Sequence, residues 1–189
     1  VATGGEKVIL AARAAGVDED LDVIDLGDVG GWPVVVPLPP GFAVGHLDTR
    51  DDGVVEEADV LIENYRYDTM EKLGLGYKDL KKINPGLVYC EISGFGRSGP
   101  YREQGGFDLI TQGMSGLMSI TGEADGAPVK VGVAVTDVAT GMLAHGSITA
   151  ALYARERTGK GQHIDLSLLE TQVATLINHA SNYLNGGVV

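Results

Sequence analysis

Residues 87–93, LVYCEIS, form a short apolar run that directly follows the helix breakers Asn-Pro-Gly at residues 84–86. A run of this length, rich in Val, Tyr and Ile and bounded by turn residues, is typical of a buried β-strand. A second such run, ADVLIENY, occupies residues 58–65, and the two segments between these runs, residues 68–74 and 78–83, are polar and helix-prone. Strand, helix and strand in this order predict parallel strands joined by a helical crossover.

Downstream of residue 93 the alternation continues. An apolar, glycine-bearing helix is predicted around residues 107–120, a short strand near residues 129–135, and the longest helix over residues 136–157. QHIDLS at residues 162–167 predicts one more strand, and residues 168–184 predict a closing helix. The whole pattern predicts an α/β fold with a Rossmann-like, mostly parallel sheet covered by helices.

The beginning of the chain has a different texture. Residues 1–53 are rich in Gly, Val, Pro and Asp. Residues 7–15 fit either a short strand or a short helix, and LDVIDL at residues 21–26 alternates apolar and acidic residues as a half-buried strand does. PVVVPLPP at residues 33–40 is rich in structure breakers. We therefore separate residues 1–53 from a regularly patterned portion, residues 54–189.

The net charge of the chain limits the classes of molecule that it is expected to bind. The 189 residues carry 14 Lys and Arg against 26 Asp and Glu, a formal net charge of −12. A phosphate backbone or an anionic membrane requires clustered basic groups, so neither nucleic acid nor a membrane is expected as a partner. With 44% hydrophobic residues, the chain is able to bury a sizeable core.

Cysteine and histidine form no evident site. The single Cys90 excludes an internal disulfide and a cysteine-cluster metal site, and the four histidines are scattered, so no metal site is predicted. Cys90 lies within a predicted strand and is expected to be a small buried hydrophobe. The chain begins at Val1 without a charged-then-apolar leader, which favours the cytoplasm, or the mitochondrial matrix if a leader has been lost.

A glycine motif follows the strand at residues 87–93. Residues 94–99, GFGRSG, fit G-x-G-x-x-G, which on its own is a weak signal for dinucleotide binding. Pro100 and the polar residues 101–106 follow where a helix is required, and no acidic residue ends the next predicted strand at the required distance. Binding of a nicotinamide or flavin dinucleotide is therefore disfavoured against two other interpretations: a loop that only reverses the chain, and a loop whose backbone amides approach a different ligand.

Carboxylates offer the remaining chemistry. Asp137 opens the longest predicted helix, with Thr136 as a possible N-cap. Asp137 is either a helix-start residue or a carboxylate nucleophile at the edge of the sheet where α/β folds bind ligands. Asp108, just after Gly105, Gly106 and Phe107, is a second candidate of the same kind, and so is Glu63 at the end of its strand.

Six blocks in order make the sequence recognisable. They are ADVLIENYR, EKLGLGY, INPGLVYCEISGFGRSGPY, GGFDLITQGMSGLMSITG, VGVAVTDVATG and RTGKGQHIDLSLLE. Together, over residues 54–187, they resemble the class III CoA-transferase family, also called the CaiB/BaiF family. The resemblance implies that residues 54–189 are the large-domain portion of such an enzyme without its smaller C-terminal domain.

The resemblance also implies a mechanism and a site. An aspartate at the position of Asp137 attacks an acyl-CoA thioester, forms an acyl-aspartyl anhydride and is then converted to an aspartyl-CoA thioester, and Asp108 matches a supporting acidic position. No permanently bound cofactor is implied, since coenzyme A enters as a substrate. The residues that the resemblance places around CoA and its thioester are Asn64, Tyr65, Arg66, Lys72, Gly94, Gly105, Gly106 and Phe107.

Other functions stay open within the same family. Racemases of α-methylacyl-CoA place a histidine where this chain has Phe107, and a phenyl ring is unable to exchange a proton, so a transferase is favoured over a racemase. A non-catalytic CoA-binding fragment is a third interpretation. VAVTDVATG and SGLMSITG are most similar to members that move CoA among dicarboxylates such as succinate and glutarate. Family members are longer and form interlocked homodimers, so we expect weak or no activity from this chain alone.

Overall fold

The fold is built on one mixed β-sheet. The computed structural model describes residues 10–14, 42–46, 55–56 and 58–187. Within these residues, five strands form the sheet in the order β2-β1-β3-β4-β5. The strands are β1 (Leu10–Ala14), β2 (Phe42–His46), β3 (Val60–Glu63), β4 (Val88–Ser93) and β5 (His163–Ser167).

The pairing of these strands follows the predicted alternation where helices connect them. β3 and β4 are parallel, with Val60 opposite Val88 and Glu63 opposite Glu91. β1 instead pairs antiparallel with both β2 and β3, which adds an antiparallel side to the sheet. The predicted α/β class is confirmed.

Six α-helices whose bounds lie within the described residues flank the strands, and Val55 and Glu56 are helical as well. The six are α1 (Thr69–Lys72), α2 (Tyr77–Ile83), α3 (Asp108–Met114), α4 (Val135–Thr158), α5 (Leu168–Thr175) and α6 (Asn178–Gly186), with a 3₁₀ helix at Leu117–Ile120. The chain divides into two units, residues 1–91 with 150–164, and residues 92–149 with 165–189. We describe each unit by itself.

The first unit has an apolar core on one face of β3 and β4. Leu61 and Tyr89 lie opposite each other in the two strands, and both pack with Met70 of α1 and Leu80 of α2. The Tyr89 hydroxyl donates to the Leu75 carbonyl at 3.3 Å, which satisfies the one polar group that this ring carries into the core. Burial of this alternating strand face is what fixes the register of the β3–β4 pair.

Polar contacts stabilise the turns at the edge of this core. Gly74 follows the end of α1 with a φ of +74°, a left-handed conformation that glycine adopts without strain. The Asn84 side-chain amide donates to the Ala58 carbonyl at 2.8 Å, and Arg155 forms a salt bridge with Asp59 at 2.7 Å. These contacts fasten the N-terminal end of β3 to the turn before β4 and to α4.

Three predicted elements are corrected by the structure. Residues 129–135 are not a strand: the Val129 N–H donates to the Met118 carbonyl and the Val131 N–H to the Gln112 side chain, so neither bonds to a neighbouring strand. The predicted helix over residues 107–120 is divided into α3 and the 3₁₀ helix. The predicted helix over residues 168–184 is broken at Ile177, which has a φ of +40°.

Only some of the predictions for residues 1–53 fall on residues that the structure describes. Of the strand or helix predicted over residues 7–15, the strand is observed as β1. The interpretations of residues 21–26 and 33–40 lie outside the described residues.

Candidate active site

Asp137 stands in the first turn of α4. The residue is exposed, but the surrounding protein removes part of the water from its carboxyl group. This partial desolvation, and then the negative charge of Asp108, raise the pKa of Asp137 above its ordinary value of 3.8. The negative charge of Asp108 therefore acts on the Asp137 carboxyl group.

Asp108 is held in place by two donors. The Thr136 N–H donates to Asp108 Oδ1 at 2.9 Å, and Gln112 Nε2 donates to Asp108 Oδ2 at 2.6 Å. The first of these bonds satisfies a backbone N–H in the first turn of α4 that has no partner within the helix. Thr136 is therefore not the N-cap that the sequence suggests, since α4 already begins at Val135 and the acceptor comes from α3.

The Thr136 side chain has a separate partner. Thr136 is fully buried, and its hydroxyl donates to Gln172 Oε1 at 2.7 Å. The Thr136 carbonyl accepts a hydrogen bond from the Thr140 hydroxyl at 2.8 Å. The residue that precedes Asp137 is thus fixed through its N–H, its hydroxyl and its carbonyl.

Gly94 and Gly106 meet backbone to backbone. A Cβ atom added at Gly94 would lie 2.4 Å from the Gly106 Cα, and one added at Gly106 would lie 2.7 Å from the Gly94 Cα. Only glycine permits this approach. The contact brings the end of β4 against the segment that leads into α3, the helix that carries Asp108.

The remaining predicted loop residues lie in the same unit. Gly105 is exposed, and Phe107, with 58% of its surface exposed, is the N-cap of α3 in an extended conformation. The structure therefore places Gly94, Gly106, Phe107 and Asp108 close to one another and beside the start of α4.

The glycine motif is held by hydrogen bonds to two side chains outside it. The Gly96 N–H donates to the Ser93 hydroxyl at 2.9 Å, and the Arg97 N–H donates to Asp165 Oδ2 at 3.0 Å. Gly96 and Gly99 have φ values of +79° and +80°. Glycine adopts this left-handed conformation without strain, so both glycines allow the backbone to turn here.

Four of the predicted CoA residues, Asn64, Tyr65, Arg66 and Lys72, belong to the first unit. Asn64 and Arg66 are exposed and Tyr65 is half-buried in the turn after β3, and the Tyr65 N–H donates to Glu63 Oε2 at 2.6 Å. Lys72, at the end of α1, is exposed and pairs with Asp68 at 3.2 Å. Asn64, Tyr65 and Arg66 thus share one surface turn.

A second group of ionisable residues lies along β3, β4 and β5. Glu63 and Glu91 are buried opposite each other, and Glu91 Oε1 lies 2.9 Å from His163 Nε2. Burial first, and then the charges of Glu63 and Glu91, raise the pKa of the Cys90 thiol to about 12. Cys90 is thus buried, as predicted, and keeps its proton at neutral pH.

Sequence reasoning missed Gln112 and Gln172. Both are almost fully buried, yet in the sequence each is a single amide in a helical pattern. A buried amide inside an apolar helix indicates that a hydrogen-bonding partner exists, but it does not say where in the chain that partner lies.

The comparison with known families decides the identity. The model of CoA-transferase family III matches residues 52–189. The chain belongs to CoA-transferase family III. The family that the six sequence blocks suggest is therefore confirmed.

Family III relatives are long compared with this chain. The succinate–glutarate CoA-transferase of Agrobacterium fabrum is 53% identical over 134 residues, which cover 71% of this chain and 34% of that protein. The succinyl-CoA:glutarate CoA-transferase of Mus musculus is 49% identical over 149 residues, which cover 77% of this chain and 34% of that protein. The chain thus spans about a third of the length of these curated relatives.

A solved family III structure has the same fold. The crystal structure of a CaiB/BaiF family protein from Brucella suis matches with a TM-score of 0.70 and 50% identity, over 72% of this chain and 36% of that one. Among the helices of the described residues, none is long and apolar enough to cross a bilayer. Over the same residues, no three His, Cys, Asp or Glu side chains are grouped so that they could hold a metal ion.

Proposed function

We propose that the protein is an acyl-CoA:carboxylate CoA-transferase and that Asp137 is its nucleophile. The observation that carries the proposal is the hydrogen bond from the Thr136 N–H to Asp108, which brings the Asp108 carboxylate of α3 to the start of α4 beside Asp137, in a chain of CoA-transferase family III. Asp108 has the role of a supporting carboxylate.

The reaction needs no redox partner and no net proton transfer. An Asp137 oxygen attacks the thioester carbonyl carbon, the C–S bond breaks, and CoA leaves as a thiolate with an acyl-aspartyl anhydride left behind. The thiolate then attacks the aspartyl carbonyl carbon, which releases the donor acid as a carboxylate and leaves an aspartyl-CoA thioester. The acceptor carboxylate repeats the two steps in reverse, so that Asp137 is regenerated and a new acyl-CoA departs.

The raised pKa of Asp137 suits this chemistry. A carboxylate is a weak nucleophile, and its reactivity increases with its basicity. Loss of water around the carboxyl and the charge of Asp108 both make the ionised form less stable. Asp137 therefore gains basicity from its surroundings.

The tetrahedral intermediates require hydrogen-bond donors for their oxyanion. Backbone N–H groups of the glycine segments at Gly94 and at Gly105 and Gly106 are the donors that we propose. Phe107 belongs to the same lining. The close contact of Gly94 with Gly106 supports this assignment, since it holds the two segments together without a side chain between them.

The CoA moiety is assigned to the turn after β3. Asn64, Tyr65 and Arg66 offer an amide, a ring and a guanidinium on one surface turn, and Lys72 supplies a second positive charge for a CoA phosphate. For the acyl group we propose short dicarboxylates such as succinate and glutarate, because the relatives above carry these names.

The proposal includes the wider organisation of the protein. Residues 54–189 are proposed to form the large-domain portion, preceded by a separate segment, residues 1–53, and the complete enzyme is proposed to be an interlocked homodimer. A cytoplasmic location is part of the same proposal, since the buried free thiol of Cys90 is in keeping with a reducing compartment.

Trapping of the covalent intermediate tests the nucleophile. The protein as its gene encodes it is incubated with succinyl-CoA and hydroxylamine, and mass spectrometry then locates the modified residue, which we expect to be Asp137. Asp137→Asn should lower kcat by about 10⁴-fold or more. Modification at another residue would refute the assignment.

Two controls separate the alternatives. Exchange of the α-hydrogen of a 2-methylacyl-CoA with deuterated water, without an acceptor acid, would indicate a racemase. CoA binding that Asp137→Ala leaves unchanged, together with no exchange between acids, would indicate a non-catalytic CoA-binding chain.

A further inference from the structure

Two glutamine side chains lie buried beside the first turn of α4. Gln112 of α3 is 0% exposed and Gln172 of α5 is 2% exposed. A buried amide costs free energy unless its donors and acceptor are bonded. The partners of each amide therefore indicate what it does at this place.

The Gln112 amide is fixed at both ends. Its Nε2 donates to Asp108 Oδ2 at 2.6 Å and, more weakly, to the Val133 carbonyl at 3.4 Å, and its Oε1 accepts from the Val131 N–H at 2.8 Å. With the Val131 N–H on the oxygen, the amide nitrogen must face Asp108. Gln112 thereby holds Asp108 in the position from which it accepts the Thr136 N–H.

The Gln172 amide is fixed in the same manner from another helix. Its Oε1 accepts from the Thr136 hydroxyl at 2.7 Å, and its Nε2 donates to the Thr175 hydroxyl at 2.6 Å. The Thr175 hydroxyl in turn donates to the Gln172 carbonyl at 2.8 Å. The bonds to Thr175 thus fix the orientation of the Gln172 amide, with its oxygen towards the Thr136 hydroxyl.

Both amides act on the residue next to the proposed nucleophile. Thr136 is held through its N–H by way of Asp108 and through its hydroxyl by Gln172. We define Asp108, Gln112, Thr136 and Gln172 as the brace. With its neighbour held in two directions, the Asp137 backbone is fixed, and the carboxylate has only its own χ1 and χ2 rotations left.

We propose that Gln112 and Gln172 are positioning residues that aim the Asp137 carboxylate through the brace. This inference rests on the proposed role of Asp137 as nucleophile. A displacement of the attacking atom by about 1 Å costs on the order of 10²-fold in rate, so the hydrogen bonds among three buried side chains and the half-buried Asp108 should have a measurable effect on the rate. The brace predicts effects on kcat with little effect on the KM for acyl-CoA.

A pair of reciprocal substitutions tests the link between Asp108 and Gln112. In Asp108→Asn, the new amide nitrogen opposes Gln112 Nε2, two donors in contact. In Gln112→Glu, the new carboxylate opposes Asp108 Oδ2, two acceptors in contact. The double variant restores every bond of the link except the weak one to Val133, because the new Asn donates to the new Glu, whose second oxygen accepts the Val131 N–H.

The expected result is a rescue. In the protein as its gene encodes it, each single substitution should lower kcat by about 10- to 100-fold, and the double variant should recover about 10-fold of the loss. If the effect of Asp108 on the rate came mainly from its own charge or proton rather than from the brace, the double variant would be as slow as Asp108→Asn. That result, or unchanged kcat in both single variants, would overturn the inference for Gln112.

Thr136 offers a matched pair for Gln172. Thr136→Val keeps the shape but removes the hydroxyl that Gln172 accepts, whereas Thr136→Ser keeps the hydroxyl. We expect kcat to fall about 10-fold in the Val variant and to change less than about 2-fold in the Ser variant. Equal activity of the two variants would overturn the inference for Gln172, and the thermal unfolding midpoint of both shows whether folding itself has changed.

A readout without turnover separates this inference from the proposed function. In the 189-residue chain, amide hydrogen exchange at Thr136 should speed up about 10-fold or more in Asp108→Asn and return towards the parent rate in the double variant. If the hydroxylamine experiment labels a residue other than Asp137 while exchange responds in this way, the brace exists but the proposed function is wrong. If Asp137 is labelled and exchange does not respond, the brace is wrong and the proposed function stands.

Discussion

His163 and Glu91 form a pair in which one partner is exposed to solvent and the other is not. Their atoms Nε2 and Oε1 lie 2.9 Å apart, with 36% of the His163 side chain and 4% of the Glu91 side chain exposed. The imidazole ring also stacks on Tyr77 at a centroid distance of 4.7 Å. His163 therefore closes the buried end of Glu91 against water.

Replacing His163 by Phe should destabilise the fold. Phe keeps an aromatic ring beside Tyr77 but removes the hydrogen bond to Glu91, so we expect the free energy of unfolding in urea to fall by about 1–3 kcal/mol. Glu91→Gln and the double variant complete a double-mutant cycle. A coupling energy of zero between the two positions would show that their contact contributes nothing.

Asp137→Asn should make the chain more stable at neutral pH. The folded-state pKa of Asp137 is raised, so the folded state favours the protonated form. The stabilising effect of that proton is present below the ordinary pKa of 3.8 and is lost as the pH rises through the folded-state value. At pH 7 the ionised carboxylate is unfavourable, and the Asn variant avoids it.

The measurement is urea unfolding of both proteins at pH 7 and at pH 3. The increase in the free energy of unfolding caused by Asp137→Asn should be smaller at pH 3 than at pH 7. Asp79→Asn is the matched control, because Asp79 also lies in a first helical turn but forms an ion pair with Lys82 at 2.7 Å. The control should lose a few tenths of a kcal/mol, and a loss of similar size in Asp137→Asn would contradict the prediction.

The Cys90 thiol should resist labelling in the folded chain. Its pKa is raised to about 12 from the ordinary 9.0, so almost no thiolate exists at pH 8, and the side chain is fully buried. We expect slow reaction with an aromatic disulfide reagent at pH 8 and rapid reaction in 6 M guanidinium, with free cysteine as the reference.

The same pKa predicts a stability change in alkali. The folded state holds the thiol proton more tightly than the unfolded state, so this contribution to stability is complete below pH 9.0 and is lost as the pH rises from 9.0 towards about 12. Cys90→Ala removes this part of the pH dependence. An identical decline of stability in both proteins would refute the link to Cys90.

Gly106→Ala should destabilise the second unit. The added methyl group would lie 2.7 Å from the Gly94 Cα, and backbone must move to admit it, at a cost of about 1–3 kcal/mol. Gly146→Ala, within α4, meets nothing within 4 Å and should stabilise by about 0.5–1 kcal/mol. Thermal unfolding of the two variants checks both signs, and a neutral Gly106→Ala would contradict the close contact.

The parts of the fold that the sequence predicts are those encoded locally. β3, α1, α2 and β4 follow from runs of apolar residues and from the breakers between them. Residues 129–135 fail as a strand because the Val131 N–H bonds to Gln112, a side chain 19 residues earlier. Ile177 carries no Gly or Pro signal for the break that it makes.

In the candidate site, too, the locally encoded features are predicted from the sequence and the long-range contacts are not. Asp137 and Asp108 are predicted from a helix start and from a position just after two glycines, together with the family resemblance, and their roles stay predictions. The bond between Thr136 and Gln172 spans 36 residues, and such a distance in sequence leaves no local pattern. The role of Gln172 therefore emerges only once the helices have packed.

The burial of Cys90 also has a practical side. Because the chain contains one cysteine and that thiol stays protonated and covered, the folded protein behaves towards maleimide dyes as though it had none. A cysteine introduced at exposed Asn64 would be a single fluorescent reporter on the turn after β3. If the proposed CoA site is correct, addition of an acyl-CoA should change the fluorescence of this reporter in the otherwise unmodified sequence.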